Sequence, residues 1–358
     1  MTLLSDLGTW ISQNESLLSG MAAIIVLAGV LFSPIGAGLR RLGRGHAVEA
    51  DATPSPNPGS AGGASSGTEE NPRKRRLTLQ DLTRPSPHPI RFAQSDGVRI
   101  AYSEVGSGPP LVMAPGIFSH LHVLSNLPSS KATAEALGEF VHVIMFDKRG
   151  QGLSDPTLRA PDLDERTRDI EAVMDASGTE RAVLLGYSEG GPMCLNFAAA
   201  NPDRVQGLVL VGTTSTWVQS EDFPIGLPRG VLERVTEAWG KGTLRDVFFP
   251  SISRDEVDDE TYRAFERLVS NRTAIRQLVQ MMIETDVRPL FPYVTVPTLV
   301  VHFAGDLAVP VRMGRALAEG LPNAEFLEVS GVDHADLSQS PEAIERIREF
   351  CAQVTAPA

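Results

Sequence analysis

The chain has 358 residues, of which 42% are apolar and 21% are charged, a composition typical of a globular protein with a sizeable core. Its net charge of −12 argues against nucleic acid as the main partner, because phosphate backbones require a basic surface. Two cysteines exclude a disulfide framework and a four-cysteine zinc site. Residues 1–76 carry 7 basic and 6 acidic side chains, whereas residues 77–358 carry 25 and 38. The acidity therefore belongs to the second part of the chain.

The first part of the chain contains one long apolar segment. Between Glu15 and Arg40 lie 24 residues without a charge, and about 20 apolar residues in a helix can cross a hydrocarbon core of about 30 Å. We therefore predict an N-terminal segment over residues 1–15 and a single transmembrane helix over residues 16–39. A buried core helix is the alternative. A cleaved signal peptide is not favoured, because acidic rather than basic residues precede the apolar segment.

Basic residues and then a polar segment follow the predicted membrane helix. Arg40, Arg41 and Arg44 come directly after it, and basic residues tend to stay on the cytoplasmic side of a membrane. Residues 40–88 are rich in Pro, Gly, Ala and Ser and are predicted to form a disordered linker. A basic run over Arg73–Arg76 lies within it, either as a solvated segment or as a patch that contacts anionic lipid. The pattern predicts a single-pass protein whose C-terminal part is cytoplasmic.

From residue 89 onward, short apolar runs alternate with stretches of helical period. The predicted strands are Val98–Ser103, Pro110–Ala114, His142–Phe146, Ala182–Gly186, Gly207–Val211, Thr298–His302 and Glu325–Val329. The predicted helices among them are Asp164–Ala176, Gly190–Ala200, Arg312–Glu319 and Pro341–Ala352. This alternation predicts an α/β domain over residues 89–358, with a mostly parallel central sheet and helices on both of its faces.

The alternation is interrupted once, after Val211. Three helical stretches lie before the next predicted strand: Pro228–Trp239, Asp255–Val269 and Thr273–Thr285. A segment of this length with its own amphipathic helices is too ordered for a loop. We therefore predict a helical cap over residues 213–296, above the carboxyl ends of the strands.

Two stretches match the pattern Gly-x-Ser-x-Gly, one around Ser65 and one around Ser188. The first lies in the linker with no strand before it, and we regard it as a coincidence. The second follows the predicted strand Ala182–Gly186 and precedes a predicted helix. A sharp turn of this kind needs small flanking residues, here Gly186 and Gly190, and it exposes the serine above the sheet. Ser188 is therefore the predicted nucleophile.

A serine hydroxyl needs a base, and an acid must orient that base. Two histidines follow Ser188 in the chain. His302 lies inside a predicted strand, whereas His334 follows the last strand, at the edge of the sheet where ligands bind. Asp306 follows the strand Thr298–His302 at the same edge. We predict His334 as the general base and Asp306 as the acid. Asp333 and Asp336, which flank His334, are too close in sequence to reach its Nδ1 and are expected to be solvated.

Acyl transfer also needs hydrogen-bond donors for the developing oxyanion. One is expected to be the backbone N–H of Glu189, the residue after the nucleophile, whose side chain is expected to be solvated or to face the cap. The other is expected from the loop after Pro110–Ala114. Pro115 has no N–H, which leaves Ile117 as the first choice and Gly116 as the second. This chemistry requires neither a metal ion nor an organic cofactor.

These residues together resemble the α/β-hydrolase superfamily from about residue 90 to residue 352. The resemblance rests on Pro115–Ile117, Asp147–Asp155, Gly186–Gly190, Asp306 and His334. It implies the α/β-hydrolase fold, a structural role for Asp147–Asp155, and the catalytic roles given above for Ser188, Asp306, His334, Ile117 and Glu189. More narrowly, Ser119–Leu121 and Ser188–Met193 are similar to the hydrolase domains fused to nucleotide cyclases in bacteria.

The sequence thus predicts a membrane-anchored serine hydrolase that cleaves carboxylic esters through an acyl-enzyme. The cap indicates a small-molecule ester with a mostly apolar acyl or alcohol group. Cleavage of a lactone, an amide or a carbon–carbon bond stays open, because the three catalytic groups do not select the leaving group. A ligand-sensing or scaffold module is the alternative from another class. The predicted location is a bacterial inner membrane, with the catalytic domain in the cytoplasm.

Overall fold

The computed structural model describes residues 76–356, which contain one eight-stranded sheet. Its strands are β1 (Arg91–Ser95), β2 (Val98–Val105), β3 (Pro110–Ala114), β4 (His142–Phe146), β5 (Ala182–Tyr187), β6 (Val205–Val211), β7 (Thr298–Phe303) and β8 (Ala324–Val329). Their order across the sheet is β1-β2-β4-β3-β5-β6-β7-β8. Strand β2 is antiparallel to β1 and to β4, and all other neighbours are parallel. The prediction of a mostly parallel sheet is confirmed.

Helices cover both faces of this sheet. The α-helices of the described residues are α1 (Leu79–Leu82), α2 (Leu121–Leu124), α3 (Pro128–Gly138), α4 (Leu163–Ala176), α5 (Gly190–Ala200), α6 (Arg229–Ala238), α7 (Arg245–Phe248), α8 (Asp259–Val269), α9 (Arg272–Glu284), α10 (Val311–Gly320) and α11 (Pro341–Thr355), and five of them cover the sheet. Helices α4, α5 and α10 pack on one face, and α3 and α11 pack on the other. Because successive strand residues point to opposite faces, Val112 belongs to the first core and Leu111 to the second.

The segment between β6 and β7 carries helices α6 to α9, within the range predicted for the cap. These helices bury their apolar sides against one another, as Leu232, Phe265 and Leu278 illustrate. The same core includes Ile117 from the loop after β3 and Leu82 from α1. The cap is therefore packed onto the edge of the sheet where the parallel strands end.

The predicted N-terminal segment, residues 1–15, the predicted membrane helix, residues 16–39, and most of the predicted linker lie outside the described residues. Within residues 76–356, no helix is long and apolar enough to cross a bilayer. Residues 76–88, the end of the predicted disordered linker that the structure describes, contain a helix. Helix α1 begins with a capping box formed by Thr78 and Asp81, and Leu82 is fully buried against the cap. Ordered structure therefore begins before residue 89, because apolar side chains from this short segment complete the core of the cap.

Candidate active site

Ser188 lies on the sharp turn between β5 and α5. Its φ of +49° lies in the left-handed region, which is costly for a residue with a side chain. Neighbouring groups hold the turn: the N–H of Ser188 donates to the carbonyl oxygen of Val211 at 2.9 Å, and Thr213 Oγ1 donates to the carbonyl oxygen of Ser188 at 2.5 Å. The strained conformation is therefore kept by bonds to the adjacent strand and to the residues that follow it.

Close backbone approach explains the two glycines of this turn. A Cβ at Gly190 would lie 2.3 Å from the carbonyl oxygen of Ala114, and a Cβ at Gly186 would lie 2.8 Å from the Cα of Gly191. Real Cβ atoms do not approach backbone atoms so closely. The requirement for small flanking residues, inferred from the sequence pattern, therefore has a direct steric cause.

His334 and Asp306 are joined by a short hydrogen bond. Nδ1 of His334 lies 2.7 Å from Oδ2 of Asp306. The other carboxylate oxygen, Oδ1, accepts from the N–H groups of Ala308 and Val309 at 2.9 and 3.0 Å. Nε2 of His334 is buried and has no hydrogen-bond partner among the described residues. A proton on Nδ1 donated to Asp306 leaves Nε2 as a free acceptor, which is the state that a general base requires.

The structure brings Ser188 to the same point of the sheet as this pair. Gly212 follows Val211, and the carbonyl oxygen of Val211 accepts a hydrogen bond from the N–H of Ser188. A Cβ at Gly212 would lie 3.3 Å from the His334 ring and 3.4 Å from Asp306 Oδ2. Ser188 and His334 also line the same two cavities. The three residues predicted as nucleophile, base and acid thus share one site.

His302, which the sequence places inside a strand, is fully buried behind Asp306. Its Nε2 lies 2.7 Å from the carbonyl oxygen of Val309 and 3.8 Å from Asp306 Oδ2. Burial lowers the pKa of His302, which favours the neutral ring. His302 therefore packs against the acid without reaching the cavities that Ser188 lines.

The loop that carries His334 is fastened to the cap. The N–H of His334 donates to the carbonyl oxygen of Phe248 at 2.7 Å, and the two rings meet edge to face at 5.5 Å between centroids. Asp333, expected from sequence to be solvated, is only 1% exposed and accepts from the N–H of Ser251 at 2.9 Å. That expectation was wrong because the covering cap segment is distant in sequence. The same holds for Asp336, which is buried and caps the 3₁₀ turn Leu337–Gln339.

The predicted oxyanion donors lie beside the nucleophile. Ile117 and Ser188 line both cavities, and a Cβ on the preceding Gly116 would lie 3.2 Å from the Cβ of Ser188. Within the part of the chain that the structure describes, no acceptor receives a hydrogen bond from the N–H of Ile117 or of Glu189. Both N–H groups are therefore available for an oxyanion.

The side chain of Glu189 is neither solvated nor directed at the cap, so the sequence-based expectation for it was wrong. It is 2% exposed and forms ion pairs with Lys148, at 2.6 Å, and with Arg166. Lys148 Nζ also donates to the carbonyl oxygen of Gly116 at 2.5 Å. Burial lowers the pKa of Lys148 to about 8, although Glu189 acts in the opposite direction. This network was not predicted from the sequence. Its signal in the sequence is that the basic Lys148 and the acidic Glu189 each follow a predicted strand, and both strands are predicted to end at the same edge of the sheet.

Two cavities meet at Ser188 and His334. The larger has a volume of about 210 Å³ and is bounded by α2, α3 and the ends of β3 and β4, with a mostly apolar lining. The smaller, about 40 Å³, lies beneath the cap between apolar side chains such as Trp217, Val231 and Met282. A molecule bound at Ser188 can therefore place a larger group on one side and a small group on the other.

In residues 76–356 no cluster of three or more His, Cys, Asp or Glu side chains is placed to bind a metal ion.

Comparison with known proteins places this geometry in a family. A family model described as alpha/beta hydrolase fold matches residues 109–341. The chain is 27% identical to the pimeloyl-[acyl-carrier protein] methyl ester esterase of Chromobacterium violaceum, over 64% of this chain and 89% of that protein. It is 29% identical to the 2-hydroxy-6-oxononadienedioate/2-hydroxy-6-oxononatrienedioate hydrolase 1 of Dechloromonas aromatica, over 66% of this chain and 85% of that protein.

A solved structure supports the fold assignment. The esterase from Exiguobacterium antarcticum matches with a TM-score of 0.61 at 22% identity, over 74% of this chain and 99% of that one. At this identity the likeness concerns the fold alone. The narrower similarity to cyclase-fused hydrolase domains stays a prediction. The resemblance to the superfamily is confirmed, and the chain belongs to the α/β-hydrolase fold family.

Proposed function

We propose that this protein is a serine hydrolase that cleaves small carboxylic esters through an acyl-enzyme on Ser188. The observation that carries the proposal is the hydrogen bond between His334 Nδ1 and Asp306 Oδ2 at 2.7 Å. It is combined with an Nε2 that has no hydrogen-bond partner among residues 76–356, on a ring that lines the same cavities as Ser188. This arrangement supplies a base in the required tautomer beside a strained serine that lines the same cavities.

In the proposed reaction, Ser188 Oγ attacks the ester carbonyl carbon while His334 Nε2 takes the hydroxyl proton. Asp306 stabilises the imidazolium, and the N–H groups of Ile117 and Glu189 donate to the oxyanion. The tetrahedral intermediate then expels the alcohol, which takes the proton from His334, and the acyl group stays on the serine. Water, activated by the same ring, attacks the acyl-enzyme and releases the acid.

The two cavities support a substrate with unequal groups. The cavity of about 210 Å³ would hold the larger, mostly apolar group, and the cavity of about 40 Å³ would hold the smaller one. One relative is described as a methyl ester esterase, which supports an ester with a small alcohol. Another is described as a hydrolase of 2-hydroxy-6-oxononadienedioate, a name that contains no ester. Because the three catalytic groups do not select the leaving group, lactones, amides and carbon–carbon bonds are the next substrates to try.

We test the proposal with the full-length protein in mild detergent and a series of p-nitrophenyl esters of increasing acyl length. Wild type is expected to turn over, and Ser188→Ala is expected to lose activity by at least about 10³-fold. Ser220→Ala, at an exposed position, is the matched control and should retain wild-type rates. Background rates for both wild type and Ser188→Ala at every acyl length would refute the ester proposal and favour the sensor alternative.

We also propose that residues 16–39 anchor the protein in a bacterial inner membrane, with the hydrolase domain in the cytoplasm. The support is the uncharged segment between Glu15 and Arg40 and the arginines that follow it. The full-length chain should sediment with membranes and resist carbonate extraction. Recovery of the full-length chain in the detergent-free soluble fraction would contradict the anchor.

A further inference from the structure

We propose that Lys148 is a positioning residue that orients and polarises the peptide group which supplies one of the two oxyanion donors. The side chain of Lys148 does this by binding the carbonyl of Gly116 and the carboxylate of Glu189 at once. The inference rests on the proposed function, because it concerns the oxyanion of that reaction.

A single peptide group holds both the acceptor that Lys148 binds and one of the two oxyanion donors. The carbonyl of Gly116 and the N–H of Ile117 belong to the same peptide, and no described peptide bond is cis. In a trans peptide these two groups are coplanar and point in opposite directions. Lys148 Nζ donates to the carbonyl oxygen of Gly116 at 2.5 Å. This bond fixes the plane of the peptide and hence the direction in which the N–H of Ile117 points.

The same bond also changes the donor strength of that N–H. A cation bound to a carbonyl oxygen draws electron density from the amide and makes the N–H more positive. Polarisation of this kind strengthens a linked hydrogen bond by about 10–30%. Bonds to ionised groups are also about twice as strong as neutral ones. The N–H of Ile117 is therefore a better oxyanion donor with Lys148 in place than it would be alone.

Lys148 also binds the residue that supplies the other oxyanion donor. Lys148 Nζ lies 2.6 Å from Oε2 of Glu189, and the backbone N–H of Glu189 is the second predicted donor. The other oxygen of Glu189 pairs with Arg166 of α4. The two donors stand on separate loops, after β3 and after β5. One ammonium group thus joins the loop after β3 to the turn after β5, and so sets the spacing of the two donors.

The buried cluster of Lys148, Glu189 and Arg166 carries a positive charge. The side chains of Lys148, Glu189 and Arg166 are each 2% exposed, and together they carry a net positive charge. The other charged group that faces Lys148, Asp169 of α4, is neutralised by its pair with Arg149. A buried positive charge close to the oxyanion site stabilises the negative charge that develops on the oxyanion. Burial lowers the pKa of Lys148 to about 8, so mildly alkaline pH would remove that charge.

The test compares three lysine variants of the full-length protein during ester hydrolysis from about pH 6 to about pH 10. Lys148→Met is expected to lower kcat about 10²-fold with little change in KM, at the lower end of the loss caused by removing an oxyanion donor. Lys148→Arg keeps a permanent charge and should retain most of kcat. Lys241→Met, at an exposed position, is the matched control and should behave as wild type.

Two further readouts separate positioning from a merely structural role. Wild-type kcat should fall above about pH 8, whereas Lys148→Arg should not fall there. An alkyl boronic acid, whose tetrahedral adduct places an anionic oxygen in the oxyanion site, should bind Lys148→Met about 10²-fold more weakly than wild type. If Lys148→Met does not fold, the pH profile of Lys148→Arg decides the matter.

The proposal is overturned if kcat of Lys148→Met stays within about threefold of wild type, or if Lys148→Arg shows the alkaline fall of wild type. These results differ from a failure of the proposed function. If Ser188→Ala abolishes turnover while Lys148→Met turns over ester at the wild-type rate, the hydrolase assignment stands and only the role of Lys148 is refuted.

Discussion

Replacing Asp306 with asparagine is expected to lock His334 in the tautomer that cannot act as a base. Oδ1 of Asp306 accepts from two backbone N–H groups, at 2.9 and 3.0 Å. The amide oxygen of an asparagine must take that position, because an NH₂ group there would face two donors. The NH₂ group then faces His334 Nδ1, which lies 2.7 Å from Oδ2 in the native protein. Nδ1 must accept, so the ring proton moves to Nε2, and Nε2 can no longer take the proton of Ser188.

The magnitude follows from the same tautomer change in a serine protease, where the corresponding substitution lowers kcat about 10⁴-fold. That factor corresponds to about 5 kcal/mol of transition-state stabilisation. We expect a loss of this size for Asp306→Asn, measured as steady-state kcat on the best ester at neutral pH. The thermal unfolding temperature should change little, because the shape and the two backbone hydrogen bonds are kept.

The control for this prediction is the same chemical change at an exposed position. Asp175, whose side chain is 62% exposed, should tolerate asparagine without loss of kcat. If Asp306→Asn retained more than about a tenth of wild-type kcat, the tautomer argument would be refuted. The acid that orients His334 would then have to be another residue.

Three further predictions test the fold around the site. Gly190→Ala should lower the free energy of unfolding by at least roughly 1–3 kcal/mol in urea, because its Cβ would lie 2.3 Å from a backbone oxygen; Gly230→Ala, with only a side-chain atom at 4.0 Å, should be neutral or stabilising. Arg149→Met should cost about 3–5 kcal/mol by the same measurement, since it leaves the buried Asp169 without its partner; a loss below about 1 kcal/mol would contradict the assignment of a buried ion pair. Val231→Phe should fill the cavity of about 40 Å³ and lower kcat/KM at least about tenfold for a propyl ester relative to the methyl ester of the same acid; equal changes for both esters would contradict the role given to this cavity.

The central strands could be predicted from sequence because helices cover both faces of the sheet, so these strands are nearly continuous apolar runs. Two of them, Pro110–Ala114 and His142–Phe146, have the predicted limits. Strand β1, Arg91–Ser95, was not predicted. It lies at the edge, pairs only with β2 and is partly exposed, so polar residues interrupt its apolar pattern. Helix α3 was also missed, because it buries mainly small or polar side chains such as Thr133 and Ala134.

In the candidate site, too, some residues could be predicted from the sequence and others could not. Ser188, Asp306 and His334 could be predicted because each follows a strand, and parallel strands end at one edge. The contact between Lys148 and Glu189 could not be predicted, because it joins residues 41 positions apart and depends on side-chain reach across two loops. Neither residue has a pattern that distinguishes a buried ion pair from two solvated charges.

Covalent labelling shows whether Ser188 is an activated nucleophile. Full-length protein treated with a fluorophosphonate should gain the mass of a single adduct, and peptide mapping should place it on Ser188. Ser188→Ala should gain none, and Asp306→Asn should label far more slowly than wild type. If folded wild-type protein gains no adduct, or gains one at another residue, the assignment of Ser188 as the nucleophile is contradicted.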